Sequence, residues 1–155
     1  MMTVVSANPA RFVATGLLLV CLSGCGGPVE GPEEAIRAWV KQGHELAEAK
    51  NRRALVTMIS PAYTDARGNS RDDISDMFRF YFLRQNKVAL ITRIEELHVY
   101  DETAAELVLT VGMAGTNDGT FGFSADAYRF EMELEQGDEW LLTSARWGEF
   151  GGELR

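Results

Sequence analysis

A chain of 155 residues, 46% hydrophobic and 25% charged, is long enough to bury a sizeable core and asks for no more than one ordinary domain. Its 23 acidic and 15 basic side chains leave a net charge of −8 with the histidines neutral. Such a balance repels phosphate backbones and anionic headgroups, which argues against nucleic-acid binding and against adsorption to a membrane through a basic patch.

Residues 1–24 divide as an export signal does, with a short start ending in Arg11, an apolar run from Phe12 to Leu22, and small residues before a cut. The run is too short for the ~20 residues of a membrane-spanning helix. The tetrapeptide Leu22-Ser23-Gly24-Cys25 reads branched apolar, small, Gly, Cys, and resembles the lipobox of bacterial lipoprotein signal peptides. That resemblance implies a diacylglycerol thioether on Cys25, removal of the leader before it, and an acylated new amino terminus. Gly26, where a retention signal would place Asp, resembles the outer-membrane default of two-membraned bacteria. The expected organisation is a signal peptide over 1–24, a tether over 25–31, one domain over 32–150 and a tail over 151–155.

Cys21 leaves with such a leader and Cys25 is consumed by the lipid, so no thiol remains for a disulfide, a thiolate metal site or a nucleophile. Arg11 is the only leader charge, so the mature chain would carry −9, from 14 basic and 23 acidic side chains. On that net charge, contact with the membrane is expected from the lipid alone.

The segment 26–31 is short, glycine-rich and aperiodic, as a tether should be. A helix is predicted from Pro32, with Gly31 as cap and Glu33 and Glu34 at the positive end of the dipole. Ile36, Trp39, Val40, Gly43, Leu46 and Ala47 recur on its inner stripe, and Lys50 and Asn51 close it. His44-Glu45 opens like a zinc-binding helix, but Glu48 stands where a second histidine is needed, so this flank reads as solvated and no metal site is expected.

A shorter helix is predicted over 52–59, stopped by Ser60-Pro61, and then a polar loop over 62–69. Ser70, with Asp73 in capping-box position, opens a third helix carrying Ile74, Met77, Phe78, Tyr81 and Phe82 on its apolar face.

From Val88 the period changes to two. Val88, Leu90, Thr92 and Ile94 share one parity whereas Leu97 and Val99 have the other, which predicts a bulge near Glu95 and Glu96. After a turn at Asp101-Glu102 comes a strand with Ala105, Leu107, Leu109, Val111 and Met113 inward, then a loop over 115–120. The third strand alternates Tyr128, Phe130, Met132 and Leu134 against charged residues. The fourth, from Glu139 to Trp147, is apolar on both parities and is expected to be central or covered twice.

Helices followed by a bent antiparallel meander predict an α+β domain with helices on one face of a curled, four-stranded sheet. This layout resembles the nuclear transport factor 2-like superfamily, the cone-shaped fold of ketosteroid isomerases, SnoaL-like cyclases and many non-enzymatic domains. The likeness rests on the inward Trp39, the segment Ser60-Pro61-Ala62-Tyr63-Thr64-Asp65 after the second helix, and the closing hairpin Gly137-Asp138-Glu139-Trp140. It implies two function classes. One is a non-catalytic binding or assembly module, with Trp39, Phe78, Phe82, Tyr128 and Phe130 lining a cavity for a small apolar ligand, or a face for an envelope protein. The other is an isomerase- or cyclase-type enzyme, in which Asp65 falls about where the family's isomerases hold their general base, and Tyr63, His98, Tyr100 or Asp126 would assist it. The tyrosine that those isomerases carry on the first helix is absent, as Trp39 and Val40 fill the inward positions. No cofactor is expected, the membrane is expected as partner through Cys25, and a homodimer is compatible with the fold.

Overall fold

A computed structural model describes residues 31–116 and 123–155. The expected leader, Cys25 and its lipobox, and most of the 115–120 loop lie outside the described residues.

Helix α1 spans Pro32–Glu48. The Gly31 N–H donates to Glu34 Oε2 at 3.3 Å, and Ile36 and Val40 form the buried stripe. The chain leaves α1 through Lys50 in the left-handed region, φ 54°. The Lys50 ammonium donates to the Phe82 and Gln85 carbonyls at 3.3 and 2.8 Å, placing a cation on the negative end of a later helix. Asn51 caps the short α2, Arg52–Thr57, accepting from the Ala54 N–H.

The next segment corrects the sequence reading. Ile59 does not end a helix and residues 62–65 are not loop, because Ile59–Asp65 is a strand, β1, parallel to the last strand of the chain. Pro61 fits there because β1 is at the sheet's edge, where a missing N–H breaks no interior ladder. Helix α3, Arg71–Arg84, begins with the expected capping box: Ser70 Oγ accepts from the Asp73 N–H, and Asp73 Oδ2 accepts from the Ser70 N–H at 2.8 Å. Ser70→Ala should cost about 1 kcal/mol of stability, read as a lower urea midpoint at unchanged slope.

Strands β2 (Lys87–Tyr100), β3 (Ala104–Thr116), β4 (Phe123–Gln136) and β5 (Trp140–Glu149) complete a five-stranded sheet of order β1-β5-β4-β3-β2, one strand more than expected. β2 and β3 are joined by a tight turn with positive φ at Asp101 and Glu102. The bulge foreseen in β2 lies between Ile94 and Glu96, and it keeps Ile94, Leu97 and Val99 on the same inner face.

β5 is central, between β1 and β4, but a second bulge explains its double parity. Leu134 pairs with Leu142 and Glu133 with Ser144, leaving Thr143 as the extra residue. Trp140 and Leu142 before it, and Ala145 and Trp147 after it, therefore all meet the inner core. There Ile36, Leu107 and Leu134 are fully buried, with Tyr63, Leu109 and Trp140 around them. Trp39 and Phe130 pack against this core half-buried. α1 runs along β2, while α3 touches α2 and β1 and buries none of its residues fully.

Candidate functional site

The inner face of the sheet is lined with aromatics toward the end where β4 begins. Phe130 pairs with Trp147 across β4 and β5, their rings stacked at 6.2 Å and 23°. Tyr128 meets Phe130 at 6.4 Å and the edge of Trp147 at 6.3 Å. Phe78 and Phe82, one turn apart on α3, stack at 6.0 Å. Four of the five predicted cavity residues, Phe78, Phe82, Tyr128 and Phe130, thus lie in two ring-on-ring groups. Trp39 packs instead on the core from α1, and its buried indole N–H meets no acceptor among the described residues.

Asp65 ends β1 with its carboxylate buried, at 6% exposure. Oδ1 accepts from the N–H groups of Arg67 and Asn69 at 2.9 and 2.8 Å, and Oδ2 from Asn69 Nδ2 at 2.7 Å. Gly68 makes this closure possible with φ 80°, a conformation any side chain would strain. Burial alone would raise the carboxyl's pKa. The bonds from Asn69 and Arg67, with the Trp147 indole N–H, outweigh it and hold the pKa below the ordinary value. Arg67 also lays its guanidinium 3.7 Å from the centre of the Trp147 ring and donates to the Trp147 carbonyl at 3.0 Å. The loop is therefore clamped to β5 through both faces of one residue's surroundings, and Asp65 is held in the ionised form by donors it already has.

Tyr63 shares the inner face of β1 and is buried. Burial, together with the neighbouring Asp65 charge, pushes its phenol up to about 12. His98 and Tyr100 sit elsewhere. Their parity on β2 is opposite to that of Leu97 and Val99, which puts both on the outer face, with His98 exposed beside Glu96 and the Tyr100 hydroxyl donating to Glu106 at 3.1 Å. They are not brought to Asp65, so the constellation suggested for an enzyme is not assembled around that residue.

Asp126 lies on the inner parity of β4, two residues before Tyr128. Tyr81 of α3 lies within electrostatic reach of Asp126, whereas its place in the sequence put it only in an apolar stripe. Burial raises the phenols of Tyr81 and Tyr128, and the Asp126 carboxylate raises both further. One exposed carboxylate is thus within electrostatic reach of two part-buried phenols. The signal in the sequence was the Asp126-x-Tyr128 spacing on a strand, but Tyr81 comes from a helix 45 residues earlier, and only folding joins them. Among the described residues no group of three or more histidine, cysteine or carboxylate side chains is placed to hold a metal.

No protein-family model matches the sequence, and no curated protein matches it in sequence. Solved structures do match the fold. A protein assigned as a scytalone dehydratase from Novosphingobium aromaticivorans superposes with a TM-score of 0.69 at 10% identity, over 76% of this chain and 83% of that one. A ketosteroid isomerase-like protein from Erwinia carotovora atroseptica gives 0.60 at 13% identity, over 74% and 93%. A protein assigned as a calcium/calmodulin-dependent protein kinase II association domain from Xanthomonas campestris gives 0.61 at 16% identity, over 79% and 90%. The chain therefore has the nuclear transport factor 2-like cone fold. At such identities the likeness extends to the fold alone, and the names span enzymes and an association domain.

Proposed function

We propose that the chain is a lipid-anchored protein of the cell envelope, whose cone domain is a non-catalytic binding or assembly module for a small apolar ligand or another envelope protein. The observation that carries the non-catalytic part is Asp65. The carboxylate nearest to the fold's expected base position is saturated by three donors 2.7 to 2.9 Å away and has a lowered pKa, the reverse of what a general base at neutral pH needs. The anchoring part is supported by Leu22-Ser23-Gly24-Cys25, with its apolar run too short to span a bilayer. No described helix is long and apolar enough to cross a membrane.

Cys25→Ser should move the protein from the membrane fraction to the soluble one while leaving its circular dichroism unchanged. Retention of that variant in the membrane would sink the lipid-anchored reading.

A second reading, a small isomerase- or dehydratase-type enzyme, is favoured by the grouping of Asp126 with the Tyr81 and Tyr128 phenols. A carboxylate beside two phenols can pass a proton and hold a developing oxyanion. Turnover that disappears in Asp126→Asn with the fold intact would move the assignment to this reading.

A further inference from the structure

His44 does not stand on a solvated flank. Its side chain is 27% exposed and bridges α1 and β2. Nδ1 is 3.1 Å from Thr92 Oγ1 on the strand, and Nε2 is 3.6 Å from Glu48 Oε2, one turn along the helix. The other oxygen of that carboxylate, Oε1, accepts from the Leu90 N–H at 2.9 Å. Two residues of α1 and two of β2 thus close a polar circuit.

The circuit covers a place that the sheet leaves open. β2 is the last strand, paired only with β3, so its other edge presents backbone donors and acceptors that no strand meets. Antiparallel pairing turns alternate residues toward that edge, and Leu90 is one of them, because its N–H meets the helix instead of β3. Glu48 stands in for the carbonyl of a missing strand. A groove of about 720 Å³ runs along the contact, lined beside the circuit by Arg37, Lys41, Glu45 and Arg93, so the imidazole is open to solvent protons.

We propose that His44 is a proton-operated latch that holds α1 on the free edge of β2. A protonated ring has two N–H groups, so it donates to Thr92 Oγ1 while turning the second toward Glu48 Oε2, and its charge keeps the carboxylate over the Leu90 N–H. A neutral ring has one N–H and lacks that attraction, which leaves Glu48 freer to turn to water. The edge is therefore closed more firmly at low pH, and is released as pH rises through the range in which histidines give up their proton. The charged groups around the ring act in both directions. Arg37 and Lys41 on α1 and Arg93 on β2 oppose the proton, whereas Glu45 and Glu48 favour it. Lys41 lies 3.7 Å from Glu45 and Arg93 lies 3.4 Å from Glu95, so each is offset by a carboxylate of its own. Glu48 is the carboxylate paired with the ring, and at 40% exposure solvent screens that pair, so the latch is a modest one.

The test is amide hydrogen exchange of the full chain, followed by NMR at about pH 6 and about pH 8 and expressed as protection factors, which divide out the intrinsic pH dependence of exchange. Leu90 should be about twofold better protected at the lower pH, the size of a screened pair one helical turn apart, and ~1 M salt should remove the difference. Ile91, whose N–H belongs to the ladder with β3, should show no such response. His44→Gln keeps a polar bridge without a titrating ring, so Leu90 should then have the same protection at both pH values. Glu48→Ala should lower that protection at least about threefold at both, with the circular dichroism unchanged. Equal protection of Leu90 at the two pH values in the wild type would overturn the latch, as would a pH response that survives His44→Gln. Protection untouched by Glu48→Ala would show that the carboxylate does not cover this edge, and would overturn it as well.

Discussion

Leu107→Ala should lower the free energy of unfolding by about 3 to 5 kcal/mol, the upper range for removing a fully buried leucine. Leu107 of β3 is 1% exposed and faces a core that includes Ile36 of α1 and Leu134 of β4. The strands flanking β3 are fixed by long ladders, β2 to β3 and β3 to β4, which limits how far the sheet can relax into the cavity. For a domain near 120 residues this is a fall in melting temperature on the order of 10 to 20 °C. Glu106→Ala, one residue away on the outer face, should cost under about 0.5 kcal/mol, as it removes only an exposed bond to Tyr100. Similar losses from the two would mean that the faces of β3 are assigned in reverse.

The second large effect is expected at Asp65. Asp65→Ala orphans the Arg67 and Asn69 N–H groups in a part-buried turn and should cost about 2 to 4 kcal/mol at neutral pH. Asp65→Asn keeps the shape but turns one acceptor into a donor, so a smaller loss is expected, about 1 to 3 kcal/mol. The pH dependence has a fixed sign. The folded-state pKa lies below the unfolded value near ~3.9, so the carboxylate's contribution is complete above about pH 5 and is lost as pH falls through the folded pKa. The gap in stability between wild type and Asp65→Asn should therefore be constant from pH 7 to about 5 and narrow below about 4. Thermal unfolding at each pH measures it. A variant clearly more stable than wild type at pH 7 would show a strained carboxylate, the condition of a base, and would favour the enzymatic reading.

The candidate site was legible only in pieces. Asp65 and Tyr63 stood out as residues of an expected polar loop, and Asp126 as a carboxylate shortly before an alternating strand, and each lies on an inward parity of its strand. Their roles depended on partners far away in the chain. Asp65 is fixed by its own turn but also by Trp147, 82 residues later, and Asp126 gains meaning from Tyr81. His98 and Tyr100 failed as partners for one reason: the bulge at Glu95 inverts the parity of β2, which turns them outward while keeping Leu97 and Val99 in the core.

What the sequence determined alone was whatever is encoded within a few residues. The start of α1 at Gly31-Pro32, the capping box of Ser70 and Asp73, the alternation of β4 and the parity break in β2 are local hydrogen-bonding and side-chain periodicities, and each is found where its pattern stands. What only the tertiary structure decided was anything requiring a distant partner. Ile59–Asp65 has no strong strand pattern and contains a proline, yet it extends because the open edge of β5 offers unpaired backbone groups that a loop would leave unsatisfied. The two-sided look of β5 resolves into one inner face only through the Thr143 bulge, which is defined by its register against β4.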